Sequence, residues 1–416
     1  MKTLNLPSVL YIALRFVSKR KRGLFLSVVG VMCGVAFFIC TQAQTQGFEK
    51  YFIQSVLDTN GAIVVTDRFQ KRYTSFKETS SALLAGQQSR KYEEGVAEPY
   101  RIMRVLRSFS SVLAAAPVLY GNVSGASNFQ TEIFNLEGID LPYHVEATAL
   151  RRQIIAGNLD EFERRPNAIL LGSLLAEKLQ TTVGNTLVLM TKGDSTSVYV
   201  AGIFRSGIDM IDTSRGYVHI PLAQALFKKP SMASMILVRL RDPHRAPQFA
   251  AHLEELLQHR ARSWQERERG NLQIFFTLRI SAAITVALII LLAGFGIFNV
   301  LTLIVLDKVR EIAILRSMGY KREQISMIFL CQGVIIAAVG SLTGSALGAV
   351  MTYAVSLIPL RLRGLLYADH FIVHWNWQHY FYAAAIAFAA ALLASYFPAR
   401  RASRMEPVDI LRGSPQ

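Results

Sequence analysis

Asp209 and Asp212 stand three residues apart in the segment SGIDMIDTSRG, a carboxylate pair of the kind that binds a cation. The favoured reading is plainer, a polar turn entering a strand. Eight histidines are scattered without the H-E-x-x-H spacing of a zinc site, so no metal ligand set is expected. Ser124 follows Gly121 in GNVSG, but no G-x-S-x-G elbow frames a nucleophile. No Gly-Lys dipeptide occurs anywhere, which excludes the G-x-x-x-x-G-K-[ST] phosphate loop. The chain therefore carries no catalytic residue that its motifs identify, and no ATPase motif of its own. Cys33, Cys40 and Cys331 all lie in apolar stretches and do not form a disulfide framework.

The elements that would position any site are unusual for a soluble enzyme. Of 416 residues, 51% are hydrophobic and only 18% charged, against ~25% in ordinary soluble chains. Four windows are long and apolar enough to cross a bilayer, which takes ~20 residues. They are 24–45, 280–306, 325–358 and 379–397, and none contains Lys, Arg, Asp or Glu between Leu24 and Gln44, Ile280 and Leu306, Ile325 and Leu357, or His379 and Phe397. The first window has a longer apolar core than a signal peptide and no clean cleavage site, so a retained anchor is expected.

The net charge of +16 is concentrated at the membrane. Residues 1–23, 307–323 and the tail after Phe397 together carry +10, whereas 46–279 carries only +5. By the positive-inside rule these three segments are cytoplasmic, giving an N-in, C-in chain. The basic balance is thereby assigned to orientation, and no nucleic-acid role is expected.

The expected fold is an α-helical membrane protein with four transmembrane helices and a large α+β extracytoplasmic (periplasmic) domain between spans 1 and 2. A basic entry helix (1–23) precedes the first span, and the exported domain covers 46–279. A cytoplasmic elbow (307–324), a periplasmic loop (359–378) and a cytoplasmic tail (398–416) complete the order. In the exported domain, short strands are expected at 62–65, 185–190, 197–204 and 234–240, and helices at 167–180 and 247–266. The polar stretch between Gln70 and Glu98 reads as a helix and loop.

The elbow, DKVREIAILRSMGYKREQI, continues the second span as a helix. Gly319 stands where a left-handed C-cap stops a helix, and a second short helix is expected from near Lys321. Such an elbow either docks into a partner or merely connects two spans, and spacing does not choose between these.

The segment EIAILRSMGYKREQISMIFLCQGVIIAAVGSLTGSALG resembles the signature of FtsX-like ABC permeases. The tail PARRASRMEPVDILRG is similar to that family's ending, and YIALRFVSKRKRGLFLSVVGVMCGVAF to its basic entry helix and first span. GIFRSGIDMIDTSRGYVHIPLAQALF and SWQERERGNLQIF are most similar to the lipoprotein-releasing (Lol-type) branch. The resemblance covers nearly the whole chain.

It implies a permease subunit in the bacterial inner membrane that works by mechanotransmission. Two permease chains, in a homodimer or heterodimer, and an ABC ATPase dimer would form the working unit, with ATP and Mg bound by the ATPase and no cofactor in this chain. The cargo would be a lipoprotein, handed to a periplasmic carrier. Lifting acyl chains from a bilayer costs ~0.8 kcal/mol per CH₂, which calls for an energy source. The ATPase contact is assigned to Glu311, Leu315, Arg316, Met318 and Gly319. The lipid-entry site is assigned to an aromatic-rich collar at the outer ends of spans 1 and 2: Phe37, Ile39, Phe48, Phe52, Phe275, Phe276 and Leu278. An interfacial aromatic belt accounts for the same residues. Gly294 and Gly296 are expected to let the second span approach a neighbour closely. The alternative function is macrolide-exporter (MacB) type efflux of a drug, peptide or glycolipid with an adaptor and outer-membrane channel.

Overall fold

The computed structural model describes residues 21–68, 95–191, 193–358, 360–362, 366–368 and 370–404. The expected entry helix up to residue 20, most of the 70–98 segment and the tail from residue 405 lie outside the described residues. The chain divides into two compact units, a helical one and an α+β one.

The helical unit is built from most of α1 (Lys21–Asn60) and α2 (Arg269–Asp307), with α3 (Val309–Ser317), α4 (Arg322–Ser356) and α5 (Trp377–Ser403); the end of α1 after Glu49 and the start of α2 before Ile274 belong to the α+β unit. Helices α1, α2, α4 and α5 are each long and apolar enough to cross a membrane. Helix α1 runs on to Asn60 without a break, well past the expected end of its span. The core draws Val31, Val35 and Ile39 from α1, Leu301 and Ile304 from α2, and Ile312 from α3. Ile328, Phe329 and Ile336 of α4 meet it, as do Ala383, Ala387 and Ala391 of α5. The α5 residues recur every fourth position, so one small-residue stripe faces the core.

The glycines that admit close approach are not those expected. Gly296 has open space around its missing side chain, and Gly294 has only Ala394 Cβ at 3.8 Å. The close approach is made by α4 instead. A Cβ on Gly340 would fall 2.7 Å from Val31, and one on Gly344 2.7 Å from the carbonyl oxygen of Met32. Backbone meets backbone between α1 and α4 because these two positions carry no side chain.

The α+β unit holds a ten-stranded sheet. Its strands are β1 (Ile63–Arg68), β2 (Val112–Ala126), β3 (Thr131–Ile139), β4 (Ile154–Gly157) and β5 (Ala168–Gly172), then β6 (Thr186–Met190), β7 (Ser195–Phe204), β8 (Arg215–His219), β9 (Met235–Leu240) and β10 (His259–Ser263). The order is β10-β1-β9-β2-β3-β8-β5-β7-β4, with β6 joining β2 to β7. Pairs β3–β8 and β5–β7 are parallel, the rest antiparallel. The pairings β2-β3-β8-β5-β7-β6-β2 close a ring of six strands. Alternate residues fill its core: Phe134 and Leu136, Ile169 and Leu171, Leu187 and Leu189, Val198 and Val200.

The segment 167–180, expected to be one helix, is strand β5 followed by the short helix Ser173–Lys178. All five residues of β5 are buried, so the strand reads as an unbroken apolar run. Likewise 247–266 is not one helix. Helix Ala246–Leu257 ends at Gln258 in a left-handed conformation, and β10 follows.

Candidate functional site

The elbow is shaped by its own hydrogen bonds. Helix α2 ends at Asp307, and Lys308 (φ −101°, ψ 9°) breaks the line before α3 begins. Lys308 pairs with Glu311. Ile312 and Ala313 are buried, and Leu315 and Tyr320 pack against the helical core. At the C-terminus of α3, Gly319 adopts φ +95°, the left-handed conformation that glycine alone takes without strain. Its N–H donates to Arg316 O at 3.1 Å, and Tyr320 N–H to Leu315 O at 3.2 Å. These bonds satisfy carbonyls that a helix end leaves open. Arg316 Nη1 donates to Tyr320 O at 3.3 Å, and Lys321 N–H to Gln324 Oε1 at 2.9 Å. The chain then enters α4 directly at Arg322, without the separate short helix expected from Lys321.

Of the residues assigned to the ATPase contact, Glu311, Met318 and Gly319 lie exposed on the elbow. Leu315 turns inward against the core, and Arg316 braces the turn. Ile314 was not among them, yet it is 47% exposed, beside Met318 at 73%. Glu311, Ile314 and Met318 follow an i, i+3, i+7 spacing and form one outward stripe. That spacing was the available signal, because a large apolar residue four positions before an exposed Met shares its face.

The collar residues divide. Ile39 is 1% exposed and fills the helical core, which removes it from any lipid-facing surface of this chain. Phe48 packs edge-on against Phe371, with ring centroids 5.3 Å apart. Phe52 and Phe275 are buried. Phe37, Phe276 and Leu278 are exposed. Helix α2 further exposes Ile284, Leu288, Leu291 and Phe295, which lie on one face.

A buried polar network lies within the α+β unit, at the end of α1. Arg215 Nε meets Glu137 Oε1 at 3.0 Å, and its Nη1 donates to Asn60 Oδ1 at 3.1 Å and to Tyr217 Oη at 3.3 Å. Burial raises Glu137 above the usual carboxylate range against the pull of Arg215. Burial opposes the charge of Arg215, but Glu137 holds it above the ordinary guanidinium value. His144, 1% exposed and 5.4 Å from the Tyr217 ring, is driven down to about 3 by burial and then by Arg215. Arg267 donates to Asn60 O and Gly61 O and is lowered to about 10, chiefly by burial.

Asp212, the second carboxylate of the candidate cation pair, accepts the N–H of Ser206 at 2.7 Å and braces the loop entering helix Asp209–Ser214. No cluster of three His, Cys, Asp or Glu able to hold a metal occurs among the described residues.

Two family models match the chain. One, FtsX-like permease C-terminal, covers residues 283–407, and the other, MacB-like periplasmic core domain, covers residues 24–256. The chain is 24% identical to the lipoprotein-releasing system transmembrane protein LolC of Neisseria meningitidis, over 97% of this chain and 98% of that one. It is 22% identical to LolE of Haemophilus influenzae, over 92% and 93%. It is 23% identical to the macrolide export ATP-binding/permease protein MacB of Hyphomonas neptunium, over 74% of this chain but 48% of that one.

Proposed function

The chain belongs to the FtsX-like ABC permease family, with a MacB-like periplasmic core domain, and from that premise we propose that it drives lipoprotein release from the inner membrane. The observation that carries this reading is end-to-end similarity to LolC, against a match to less than half of MacB. The ATPase would be a separate subunit that grips the elbow by Glu311, Ile314 and Met318. A second permease chain and a periplasmic carrier would complete the assembly.

The mechanics follow from the elements. When the ATPase dimer closes on ATP, it moves the elbow. Ile312 and Ala313 are buried in the helical core, so α3 moves with α2 and α4 rather than flexing alone. Helix α2 has 39 residues and reaches about 58 Å at 1.5 Å per residue, long enough to carry displacement to its outer end. There Arg267 holds the end of α1, which leads into the exported domain. Exposed Phe37, Phe276 and Leu278 are the collar residues left to meet acyl chains.

The test is reconstitution of the full chain with its ATPase in proteoliposomes bearing a lipidated reporter. ATP-dependent transfer of the reporter to a soluble carrier is expected. ATP-dependent efflux of a soluble drug through an adaptor, with no lipoprotein transfer, would establish the MacB-type reading in its place. Reporter fusions at residues 150 and 315 test the orientation, the first expected outside and the second in the cytoplasm.

A further inference from the structure

Within the helical unit, a cleft of about 830 Å³ opens between α2 and α5. Its apolar wall is Phe298, Phe397 and Pro398. Its polar end is Arg400, Arg401 and Arg404, with Thr302 opposite. On α5, Phe397, Arg400, Arg401 and Arg404 follow i, i+3, i+4, i+7, so the aromatic ring and three guanidinium groups share one face. Pro398 lacks the N–H that would donate to the carbonyl four residues earlier, just where the apolar span gives way to the arginines.

The three arginines are exposed, and among the described residues their side chains make no hydrogen bond or ion pair. Thr302 is already satisfied, donating to Phe298 O at 2.8 Å. No acidic side chain lines the cleft among the described residues. Arginine in a last helical turn complements the helix dipole through its charge, but that leaves its donors unused. Three free forks of N–H donors are matched to phosphate. The apolar wall of Phe298, Phe397 and Pro398 beside them is matched to the adjoining part of an acyl chain.

We propose that this cleft binds an anionic phospholipid of the surrounding leaflet, with its phosphate on Arg400, Arg401 and Arg404 and an acyl chain against Phe298 and Phe397. The site is separate from the elbow stripe and from the collar. It requires the four helices to cross a membrane, but it does not depend on what the cargo is. A lipid bound there would act as a fixed spacer between α2 and α5, the helices that flank the elbow and the tail.

The experiment is native mass spectrometry of the full-length chain in neutral detergent, titrated with dioleoyl phosphatidylglycerol or dioleoyl phosphatidylcholine. Each basic residue contributes to anionic-lipid affinity, so phosphatidylglycerol is expected to bind about tenfold or more tightly than phosphatidylcholine. The triple variant R400Q/R401Q/R404Q is expected to lose that preference, and each single variant to lose part of it. A charge-matched control, R104Q/R151Q/R164Q in the α+β unit, is expected to keep it. Should the triple variant fail to fold, the graded single variants decide. An unchanged preference in the arginine variants overturns the proposal. Displacement of the lipid by equimolar inorganic phosphate would make this a free-anion site and overturns it too. So would a triple variant that keeps its lipids and loses only the co-purifying ATPase, since the patch would then be a protein contact.

Discussion

Arg267 donates through Nη1 to the main-chain oxygen of Asn60 at 3.4 Å, capping the last turn of α1 with a side chain that stands two residues before α2. Its Nη2 holds Gly61 O at 3.2 Å in the same grip. The end of α1 and the segment leading into α2 are therefore fastened to each other. Arg267→Met keeps the apolar stem and removes both bonds, at a cost of about 2 kcal/mol for charge-assisted donors. Amides near the end of α1, among them Gly61, are expected to exchange hydrogen on the order of 30-fold faster. Unchanged protection there would mean that the clamp carries no energy.

Gly319 has φ +95° with nothing within 4 Å of where a Cβ would stand, so substitutions act through backbone strain alone. Gly319→Ala is expected to cost ~1–2 kcal/mol, Gly319→Asn less. Gly319→Pro, whose ring sets φ near −65°, is expected to uncouple ATP hydrolysis from transport. The ratio of ATP hydrolysed to cargo released is the measurement, and a wild-type ratio for the Pro variant would reduce the elbow to a connector.

Ile314 and Leu315 are neighbours in sequence with opposite roles. Ile314→Asp is expected to weaken ATPase association tenfold or more, a loss of ~1.4 kcal/mol or above, while the permease stays folded. Leu315→Asp puts a charge against the core and is expected to lower the melting temperature of the permease itself. Pull-down affinity and thermal melting, measured on both variants, separate the two faces.

His144 gives the α+β unit an acid limit. Its folded pKa lies near 3, below the ordinary 6.5, so the native state holds it neutral while the unfolded chain takes up a proton. Stability is fully present above about pH 6.5 and is lost as pH falls toward 3, at roughly 1.4 kcal/mol per unit. His144→Leu is expected to flatten that slope in denaturant titrations at pH 7, 5.5 and 4. A variant as acid-sensitive as the wild type would assign the loss to other groups.

At the collar, Phe276 and Leu278 are exposed and Phe48 is engaged with Phe371. A photoreactive residue at 276 is expected to crosslink a lipidated substrate more strongly than one at 48. Phe276→Asp is expected to weaken acyl-chain binding, through a desolvation cost of a few kcal/mol, and to leave basal ATP hydrolysis intact. Crosslinks to bulk phospholipid alone would make the collar an aromatic belt.

The sequence disclosed what depends on local chemistry. Runs of charge-free apolar residues marked the four long helices, and alternating residues marked strands such as β6, β7 and β9. Gly319 was legible because only one residue type takes its conformation cheaply. What depends on rotational phase was not legible. Ile314 and Leu315 are both apolar, and only the seat of Ile312 and Ala313 in the core decides which of them faces out. Ile39 looked like a collar residue for the same reason. Strand β5 passed for helix because burial on both faces erases the alternation that identifies a strand. Gly294 and Gly296 drew notice by spacing, while the glycines that matter, Gly340 and Gly344, are selected by what α1 brings opposite them.

The six-stranded ring closes on itself through β6, so each of its strands has neighbours along both sides. Edge capture, in which a visiting chain adds itself as one more strand, needs a row of unpaired main-chain donors and acceptors. The ring withholds such a row. Among the described residues, the ends of the ten-stranded sheet are β4 and β10, the first four residues long and the second carrying Arg260 and Arg262, features that discourage zipping. Among the described residues, a chain meeting this ten-stranded sheet would therefore be held by side chains and loops rather than by main-chain pairing.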